Sequence, residues 1–405
     1  MSDSRFLPEE VEARLRTALE DAYGAPKRGL LAVVAPGRSE LAGNHTDHEG
    51  GHVLAGAVDR YVYGLFSPNG SSRVRVTSLG YDPVDIDCAD LAPREEERGT
   101  TVALVRGMAA LFEERGFSCG DGRGFDAVME SQVPAGSGLS SSAAFELELA
   151  QALNHLWADG SLSPADLALM AQRDECEYFG KPCGLMDQAS VALGGIQHMS
   201  FADPDHLDSE AIDFDFADAG YALCLVSVGA DHSANIDDYA AVPREMQAVA
   251  AALGKRRLGE LEEADLLARA GEMRERFGDR AVLRSLHYWR EDRLVEERVA
   301  ALADGEMTSF LALTRASGAS SGMYLQNVSC GGTEQPAMVA LAVAEELLAH
   351  DGAARIHGGG FGGTIQAFVP LAEVERFTQG MESVFGAGAC GTYRIDHEGA
   401  RAQWL

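Results

Sequence analysis

Basic residues are scarce in this 405-residue chain. Lysine and arginine together number 33, against 63 aspartates and glutamates, which gives a formal net charge of −30 at pH 7. Such a charge repels nucleic acid and anionic membrane surfaces, and no local cluster of basic residues relieves it. We therefore expect neither nucleic acid nor membrane as a partner. The same charge would repel a nucleotide, so a nucleotide site would need backbone amides, a divalent cation and one or two buried basic side chains.

Cysteine is also sparse and shows no metal-binding or disulfide pattern. The seven cysteines are scattered, odd in number and never spaced as C-x-x-C, which argues against a zinc site and a disulfide framework. We expect most of them to be small core residues in a reducing compartment. No apolar run approaches membrane-spanning length, and residues 1–24 predict a charged amphipathic helix instead of a signal peptide. These absences predict a cytoplasmic protein.

Internal repeats and low-complexity tracts are missing as well. The apolar content of 46% is enough for a large core, and the length suggests two domains or one two-lobed body. Strand-like and helix-like segments alternate without regular βαβ order, which favours an α+β fold. Residues 202–218 are acidic and weakly patterned, so we predict an N-terminal domain over 1–205 and a C-terminal domain over 206–405.

The most informative motif is a glycine turn that leads into serines and then a helix. Residues 134–144 read PAGSGLSSSAA, and the segment 143–158 that follows has its large apolar residues spaced along one helical face. Glycines let the backbone approach a ligand closely, and the first unpaired amides of a helix attract anions. The motif predicts a phosphate-binding loop, with a simple helix cap as the alternative. It lacks the lysine of a Walker loop.

A second motif places polar side chains between glycines from Gly37 to His52. Asparagine, histidine, threonine and aspartate in one stretch suit the recognition of a polyhydroxylated ligand. A metal site using His45, Asp47, His48 and His52 is one alternative, but no cysteine assists and the spacing is not helical. A merely polar surface loop is the other alternative. The glycines on both sides predict that the stretch is a loop.

Two further segments are ambiguous when taken alone. Asp187, in the segment CGLMDQ over 183–188, is either a partly buried acid with a shifted pKa or a helix cap. Residues 357–364, HGGGFGGT, leave the backbone almost bare. That composition fits close approach to a substrate or to the phosphate loop, and it also fits a glycine-rich hairpin without a ligand.

Together the four segments resemble the GHMP kinases, and among them the galactokinases, in order and in rough spacing. The resemblance implies a two-lobed α+β fold with mixed sheets and an active site between the lobes. It implies ATP-dependent phosphorylation of the C1 hydroxyl of galactose, with Asp187 accepting the hydroxyl proton beside Arg38. Mg²⁺ would be held by Glu175 together with Ser141 or Ser142. The implied ATP-binding residues are Gly136, Ser137, Gly138, Leu139, Ser140, Ser141, Ser142 and Ala143.

The resemblance also implies a sugar site, and the chain departs from the family there. The implied sugar-contacting residues are Asn44, His45, Asp47, Gly184 and Tyr239. Galactokinases have glutamate where this chain has Asn44, and that glutamate contacts the distal hydroxymethyl group of the sugar. A galactose-like sugar that is altered at C6 or N-acetylated is therefore an alternative substrate, and a non-catalytic sugar and ATP sensor is a further alternative. The partners implied are a small sugar and ATP, and the sequence carries no signal for an oligomeric state.

Overall fold

The computed structural model describes residues 6–118, 120, 122–134, 138–203, 206–229, 236–328, 333–361 and 363–405. Helices and strands are interspersed along the chain, which confirms the predicted α+β class. In chain order the elements are α1 (Glu9–Tyr23), β1 (Leu31–Ala42), β2 (His52–Pro68), β3 (Arg73–Ser78), β4 (Val84–Asp87), α2 (Thr101–Glu114), β5 (Phe125–Ser131), α3 (Ser141–Trp157), α4 (Pro164–Asp174), α5 (Met186–Leu193), β6 (Ile196–Ser200), β7 (Asp208–Ile212), β8 (Tyr221–Ser227), α6 (Ile236–Ala252), α7 (Glu263–Ala268), α8 (Ala270–Phe277), α9 (Asp279–Ala303), α10 (Met307–Ser320), α11 (Pro336–Leu348), β9 (Ala353–Ile356), β10 (Thr364–Pro370), α12 (Val374–Phe385), β11 (Cys390–Tyr393) and β12 (Arg401–Trp404).

The larger sheet is built on the long antiparallel pair of β1 and β2. Among the described residues its order is β12-β1-β2-β5-β3-β4, with β6 paired to β2 and β7 paired to β6. Every position of β1 is buried. The loop predicted from Gly37 onward is therefore wrong in its first part, because Gly37–Ala42 continue β1. A register shift between Pro36 and Gly37 accommodates the proline within the paired strand.

A smaller antiparallel sheet has the order β11-β8-β10-β9. Its apolar side packs on α11 and α12 through alanines of α11 and through Phe377 and Met381 of α12. Two strands that follow residue 205 nevertheless belong to the larger sheet, since β7 pairs with β6 and β12 pairs with β1. These pairings cross the domain boundary predicted at 205, and the division into 1–205 and 206–405 stays a prediction.

Local sequence features explain where the helix that precedes Asp187 begins and ends. Ser163 caps α4 with a reciprocal bond to Asp166, and Pro164 occupies the first helical position. The helix then widens into one π-helical turn over Glu175–Phe179 before Gly180 ends it in a left-handed conformation. Such turns commonly occur at functional positions. This one presents Glu175 toward the start of α3.

The cysteines are mostly free among the described residues. Cys224 and Cys390 are buried, while Cys176 and Cys183 are half-buried. Cys88 is disulfide-bonded, a feature that the scattered spacing did not predict. No helix within the described ranges combines the length and apolar character that crossing a bilayer requires.

Candidate active site

Asp187 and Arg38 form the centre of the site. Asp187 lies in the first turn of α5, and Arg38 reaches it from β1 through Nε, 2.7 Å from Oδ1. The other carboxylate oxygen accepts a hydrogen bond from the Ser140 hydroxyl. Burial alone would raise the pKa of Asp187, but Arg38, Ser140 and Lys181 together lower it below its ordinary value. The carboxylate is therefore ionised and positioned, and the interpretation of Asp187 as a partly buried acid fits better than that of a helix cap.

The phosphate-loop motif begins beside this pair. Gly136 and Ser137 lie outside the described residues. Gly138 has φ +76°, and a Cβ there would come within 2.9 Å of His357 Nδ1, so only glycine fits between the loop and that ring. Its carbonyl accepts a hydrogen bond from Arg38 Nη1. The same guanidinium therefore holds both the carboxylate and the loop.

The serines of the motif form the junction with α3. The backbone of Ser140 is left-handed, with φ 55°, a conformation uncommon for a residue with a Cβ. Helix α3 starts at Ser141, with Ser142 in its first turn and Ala143 buried behind it. The amides of the first turn of this 17-residue helix have no partner within the helix. The junction thus has the chemistry of an anion site.

Glu175 lies across from the first turn of α3. Its Oε1 accepts hydrogen bonds from Lys181 Nζ at 2.8 Å and from Ser142 Oγ at 3.4 Å. Its Oε2 accepts from Gln188 Nε2 at 2.8 Å. A carboxylate and a serine hydroxyl that converge from two helices are oxygen donors of the kind that Mg²⁺ uses. The residues present therefore fit a divalent cation, with the Lys181 ammonium contacting the same carboxylate.

Behind Glu175 lies a buried acid that the sequence analysis did not identify. Glu146, on α3, shares the amide of Gln188 with Glu175 at 3.0 Å. Burial and the nearby charge of Glu175 raise the pKa of Glu146 well above its usual value. We therefore treat Glu146 as protonated, which avoids two adjacent buried charges. Glu146 lies one helical turn after Ser142. That spacing alone does not show that the side chain is buried beside Glu175, so the sequence did not identify it.

His45, in the second motif, contacts the glycine-rich segment and Tyr239. His45 has φ 62° and bonds the carbonyl of Gly359 through Nε2 at 2.8 Å. Because a carbonyl can only accept, this contact places the ring proton on Nε2. The ring of Tyr239, on α6, lies 5.3 Å from that of His45. His45 and Tyr239 thus form one wall beside Asp187.

Gly184 and Asp47 are in direct contact. A Cβ at Gly184 would overlap Asp47 Oδ2, an approach that no real Cβ tolerates. Asp47 lies in a single 3₁₀ turn, Asp47–Glu49, within the short loop that remains between β1 and β2. The structure therefore brings together the residues that the sequence assigned to the sugar from segments as distant as 47, 184 and 239.

Asn44 is the exception in this group, because its side chain is fully buried. Its Nδ2 donates to the carbonyl of Gly358, and its Oδ1 accepts from Asn327 Nδ2 at 2.6 Å. Ser321 Oγ approaches the same oxygen at 3.4 Å. Both ends of the amide are thus occupied by protein groups. Asn44 joins the glycine-rich segment to the loop, and its role as a sugar contact stays a prediction.

The glycine-rich segment over 357–361 packs against the phosphate-loop motif and against β1. Gly360 has φ +75°, and a Cβ there would overlap the carbonyl of Asn327. The side chain of His357 reaches Ser39 Oγ at 3.0 Å through Nε2. The expectation of a close approach between this segment and the phosphate loop agrees with the contact between His357 and Gly138. Gly362 lies outside the described residues.

A buried ionic network that the motifs did not reveal lies under the loop between β1 and β2. Arg298 Nη2 and Glu291 Oε1 are 2.7 Å apart, and both side chains are fully buried. Arg355 joins the same carboxylate at 3.5 Å and pairs with Glu40. Burial alone would raise the pKa of Glu291, but Arg298 and Arg355 lower it to about 2. The network anchors α9 and β9 to β1, just before the loop that joins β1 to β2.

Family models and curated relatives match most of this chain. The model of the GHMP kinases N terminal domain matches residues 103–195, and the galactokinase galactose-binding signature matches residues 17–68. The galactokinase of Streptomyces coelicolor is 34% identical over 391 residues, which cover 96% of each chain. The galactokinase of Glaesserella parasuis is 30% identical over 89% of this chain and 90% of its own.

Solved structures share the fold. A Lactococcus lactis galactokinase complexed with galactose superposes with a TM-score of 0.81 at 22% identity, covering 98% of this chain and all of that one. The mevalonate kinase of Methanococcus jannaschii superposes with a TM-score of 0.65 at 12% identity, over 90% of this chain and 98% of its own. The fold is thus that of the GHMP kinases. With the curated relatives above, these observations establish that the chain belongs to the galactokinase family of the GHMP kinases.

Proposed function

We propose that this protein phosphorylates the C1 hydroxyl of galactose with ATP, giving galactose 1-phosphate and ADP. The observation that carries the proposal is the position of Asp187. It is an ionised carboxylate held between Arg38 and Ser140, with the start of α3 on one side and Asp47 with Gly184 on the other. A phosphoryl donor and a hydroxyl acceptor would meet at this carboxylate.

In the proposed reaction, Asp187 accepts the proton of the C1 hydroxyl as the oxygen attacks the γ-phosphate. Arg38 keeps that carboxylate ionised before transfer and offsets the negative charge on the phosphoryl group during it. The amides at the start of α3 hold the phosphates. Phosphoryl transfer depends mainly on such positioning and charge stabilisation.

Mg²⁺ is part of the proposal. Glu175 and Ser142 would hold it, with Ser141 as the neighbouring hydroxyl, since their oxygens converge at the start of α3. When bound, the ion neutralises charge on the phosphates of ATP. Lys181, 2.8 Å from Glu175, adds a positive charge beside the same carboxylate. Because the reaction consumes ATP, a cytoplasmic location is also part of the proposal.

The sugar would be read by the residues around the loop. The Asp47 carboxylate can accept hydrogen bonds from two neighbouring hydroxyls, which distinguishes sugar stereoisomers. Gly184 leaves space for that carboxylate, while His45 and Tyr239 form the facing wall. Asn44 contributes by holding the loop to Gly358 and Asn327.

A second candidate keeps the chemistry and changes the sugar to a C6-altered or N-acetylated galactose-like sugar. The neutral, fully engaged amide of Asn44 favours it, because the family's glutamate is missing from that position. Screening galactose, glucose, N-acetylgalactosamine and galacturonate for ATP consumption separates the two. Phosphorus NMR then identifies the phosphorylated carbon.

The catalytic assignment has its own test. We expect the leading substrate to be galactose and the Asp187→Ala variant to lose activity by about 10²–10⁴-fold. Full activity in Asp187→Ala would refute the assignment of the base, and turnover of only another sugar would refute galactose as the substrate.

A further inference from the structure

Two histidines and two carboxylates that the proposed reaction does not use meet where α9 packs against the larger sheet. His198 Nε2 lies 2.8 Å from Glu296 Oε1. His52 Nδ1 lies 3.1 Å from Asp292 Oδ1 and 3.5 Å from Glu296 Oε1. One ligand atom from each of His52, His198 and Glu296 falls within 4.8 Å of the other two. The group is therefore a convergent donor set drawn from three separate elements.

The fold places these side chains together by strand register and helix period. On the paired strands β2 and β6, His52 lies opposite Ser200 and Leu54 lies opposite His198. The two histidines are thus diagonal neighbours, with ring centroids 5.4 Å apart. Asp292 and Glu296 are four residues apart on α9, so they project from the same helical face. Helix α9 crosses β2 at this point.

The spacing matches a first-row transition metal. Zinc binds histidine nitrogen and carboxylate oxygen at about 2.0–2.2 Å, so the ligand atoms of a tetrahedral site lie about 3.3 Å from one another. Glu296 Oε1 lies 2.8 Å from His198 Nε2 and 3.5 Å from His52 Nδ1, both close to this value, and the ligand atoms of the two histidines lie within 4.8 Å of each other. A set of two histidines and one carboxylate also suits zinc better than magnesium, which prefers oxygen ligands.

Asp292 also supports the short loop between β1 and β2. Its Oδ1 accepts the main-chain amide of His52 at 2.7 Å. A Cβ at Gly51 would lie 2.6 Å from that same oxygen. Asp208, on β7, adds negative charge near His52, which favours a cation. An ion here would tie α9 to the strand that begins where the loop ends.

We propose that His52, His198 and Glu296 bind one zinc-class divalent cation, and that Asp292 positions the His52 ring and main chain beside it. This site is separate from Glu175 and Ser142. It rests on the geometry of the cluster alone and does not depend on the proposed kinase activity.

The test uses the full chain without nucleotide. The protein is stripped with EDTA, dialysed and titrated with Zn²⁺ by calorimetry, and then with Co²⁺ by visible absorption under reducing conditions. We expect one tight equivalent of Zn²⁺ and the d–d bands of tetrahedral Co²⁺ without a thiolate charge-transfer band. His198→Ala and Glu296→Gln should each weaken Zn²⁺ binding by at least about 30-fold.

Matched controls keep the result specific. His206, whose side chain is 85% exposed, and the exposed Glu297 lie near in sequence, so His206→Ala and Glu297→Gln should bind Zn²⁺ as the unaltered protein does. The Glu296 side chain is half exposed, and Glu296→Gln should therefore fold, as a melting curve will check. Glu175→Gln should retain the site, which separates it from the proposed Mg²⁺ ligands. Equal binding in His198→Ala and the unaltered protein would overturn the proposal and leave a hydrogen-bonded cluster only, and a thiolate charge-transfer band would overturn it by placing the ion on cysteine.

Discussion

Arg38 places two nitrogens on a single oxygen of Asp187. Nε and Nη2 each lie 2.7 Å from Oδ1, so Oδ2 is the oxygen that remains for other donors. The Ser140 hydroxyl now donates to it. A substrate hydroxyl would take that place in the proposed reaction. Arg38 is thereby both the group that keeps Asp187 ionised and the group that decides which of its oxygens accepts the proton.

Replacing Arg38 with lysine should change the pH dependence of the reaction. Lysine keeps one charge but lacks the planar fork whose separate nitrogens bond Asp187 and the Gly138 carbonyl. Without that bonding the pKa of Asp187 rises, and the acid limb of kcat/KM moves to higher pH. We expect kcat at neutral pH to fall by about 10–10²-fold. The profile of kcat/KM is measured from pH 4 to 8. An acid limb at the same pH in both proteins would show that Arg38 does not control the ionisation of Asp187.

Adding one methyl group at Gly184 should impair sugar binding. The Cβ of Gly184→Ala would overlap Asp47 Oδ2, so the Asp47 carboxylate must move. We expect KM for the sugar to rise by about 10-fold or more while KM for ATP is unchanged, since one displaced hydrogen-bonding group costs roughly 1.4 kcal/mol. A Cβ at Gly271 would meet no atom within 4 Å, so Gly271→Ala is the matched control. Equal rises in both Michaelis constants would contradict a specific role in sugar binding.

Truncating Asn44 should cost stability first. Asn44→Ala leaves Asn327 Nδ2 with fewer partners and removes the donor to the buried Gly358 carbonyl. We expect a loss of about 1–3 kcal/mol in the free energy of unfolding, measured by urea denaturation. Ser321→Ala, which removes only the 3.4 Å contact, should cost far less. If Asn44→Ala leaves stability unchanged and alters sugar preference alone, then Asn44 acts as a sugar contact and not as a structural support.

The buried acid Glu148 should make stability depend on pH. It is fully buried on α3, and both carboxylate oxygens lack a hydrogen-bond partner among the described residues. Burial raises its pKa well above 4.5. Above pH 4.5 the unfolded chain releases this proton while the native state holds it, so Glu148 lowers stability as pH rises toward the folded pKa.

Glu148→Met removes that pH dependence. We expect the variant to have a higher free energy of unfolding than the unaltered protein at pH 8. The difference between the two proteins should be smaller at pH 5 than at pH 8 by at least about 1.4 kcal/mol, the value of one pKa unit. Thermal and urea unfolding at both pH values measure the difference. The exposed Glu297 supplies the control, since Glu297→Met should show no such pH dependence. A gain that is equal at the two pH values would show that Glu148 is ionised in the native state.

Much of the site could be predicted because its motifs are local. The serine run before α3 and the glycines around it carry their chemistry in consecutive residues, and Ser163 with Pro164 marks the start of α4. The glycines and charges of the Gly37–Ala42 stretch outweigh its strand pattern and so predict a loop. It is a strand because β2 pairs along it and the core covers it, and neither partner is visible from the stretch itself.

The sequence by itself determined the α+β class, the helix that follows the serine run and the family, because each depends on local composition or on motif order. Only the tertiary structure decided which atoms meet. It brought Arg38 and Ser140 to the two oxygens of Asp187, occupied both ends of the Asn44 amide, and returned β12 to the first sheet. These contacts join residues tens to hundreds of positions apart, and the physical reason is that packing and strand register, unlike helix propensity, are properties of the folded chain as a whole.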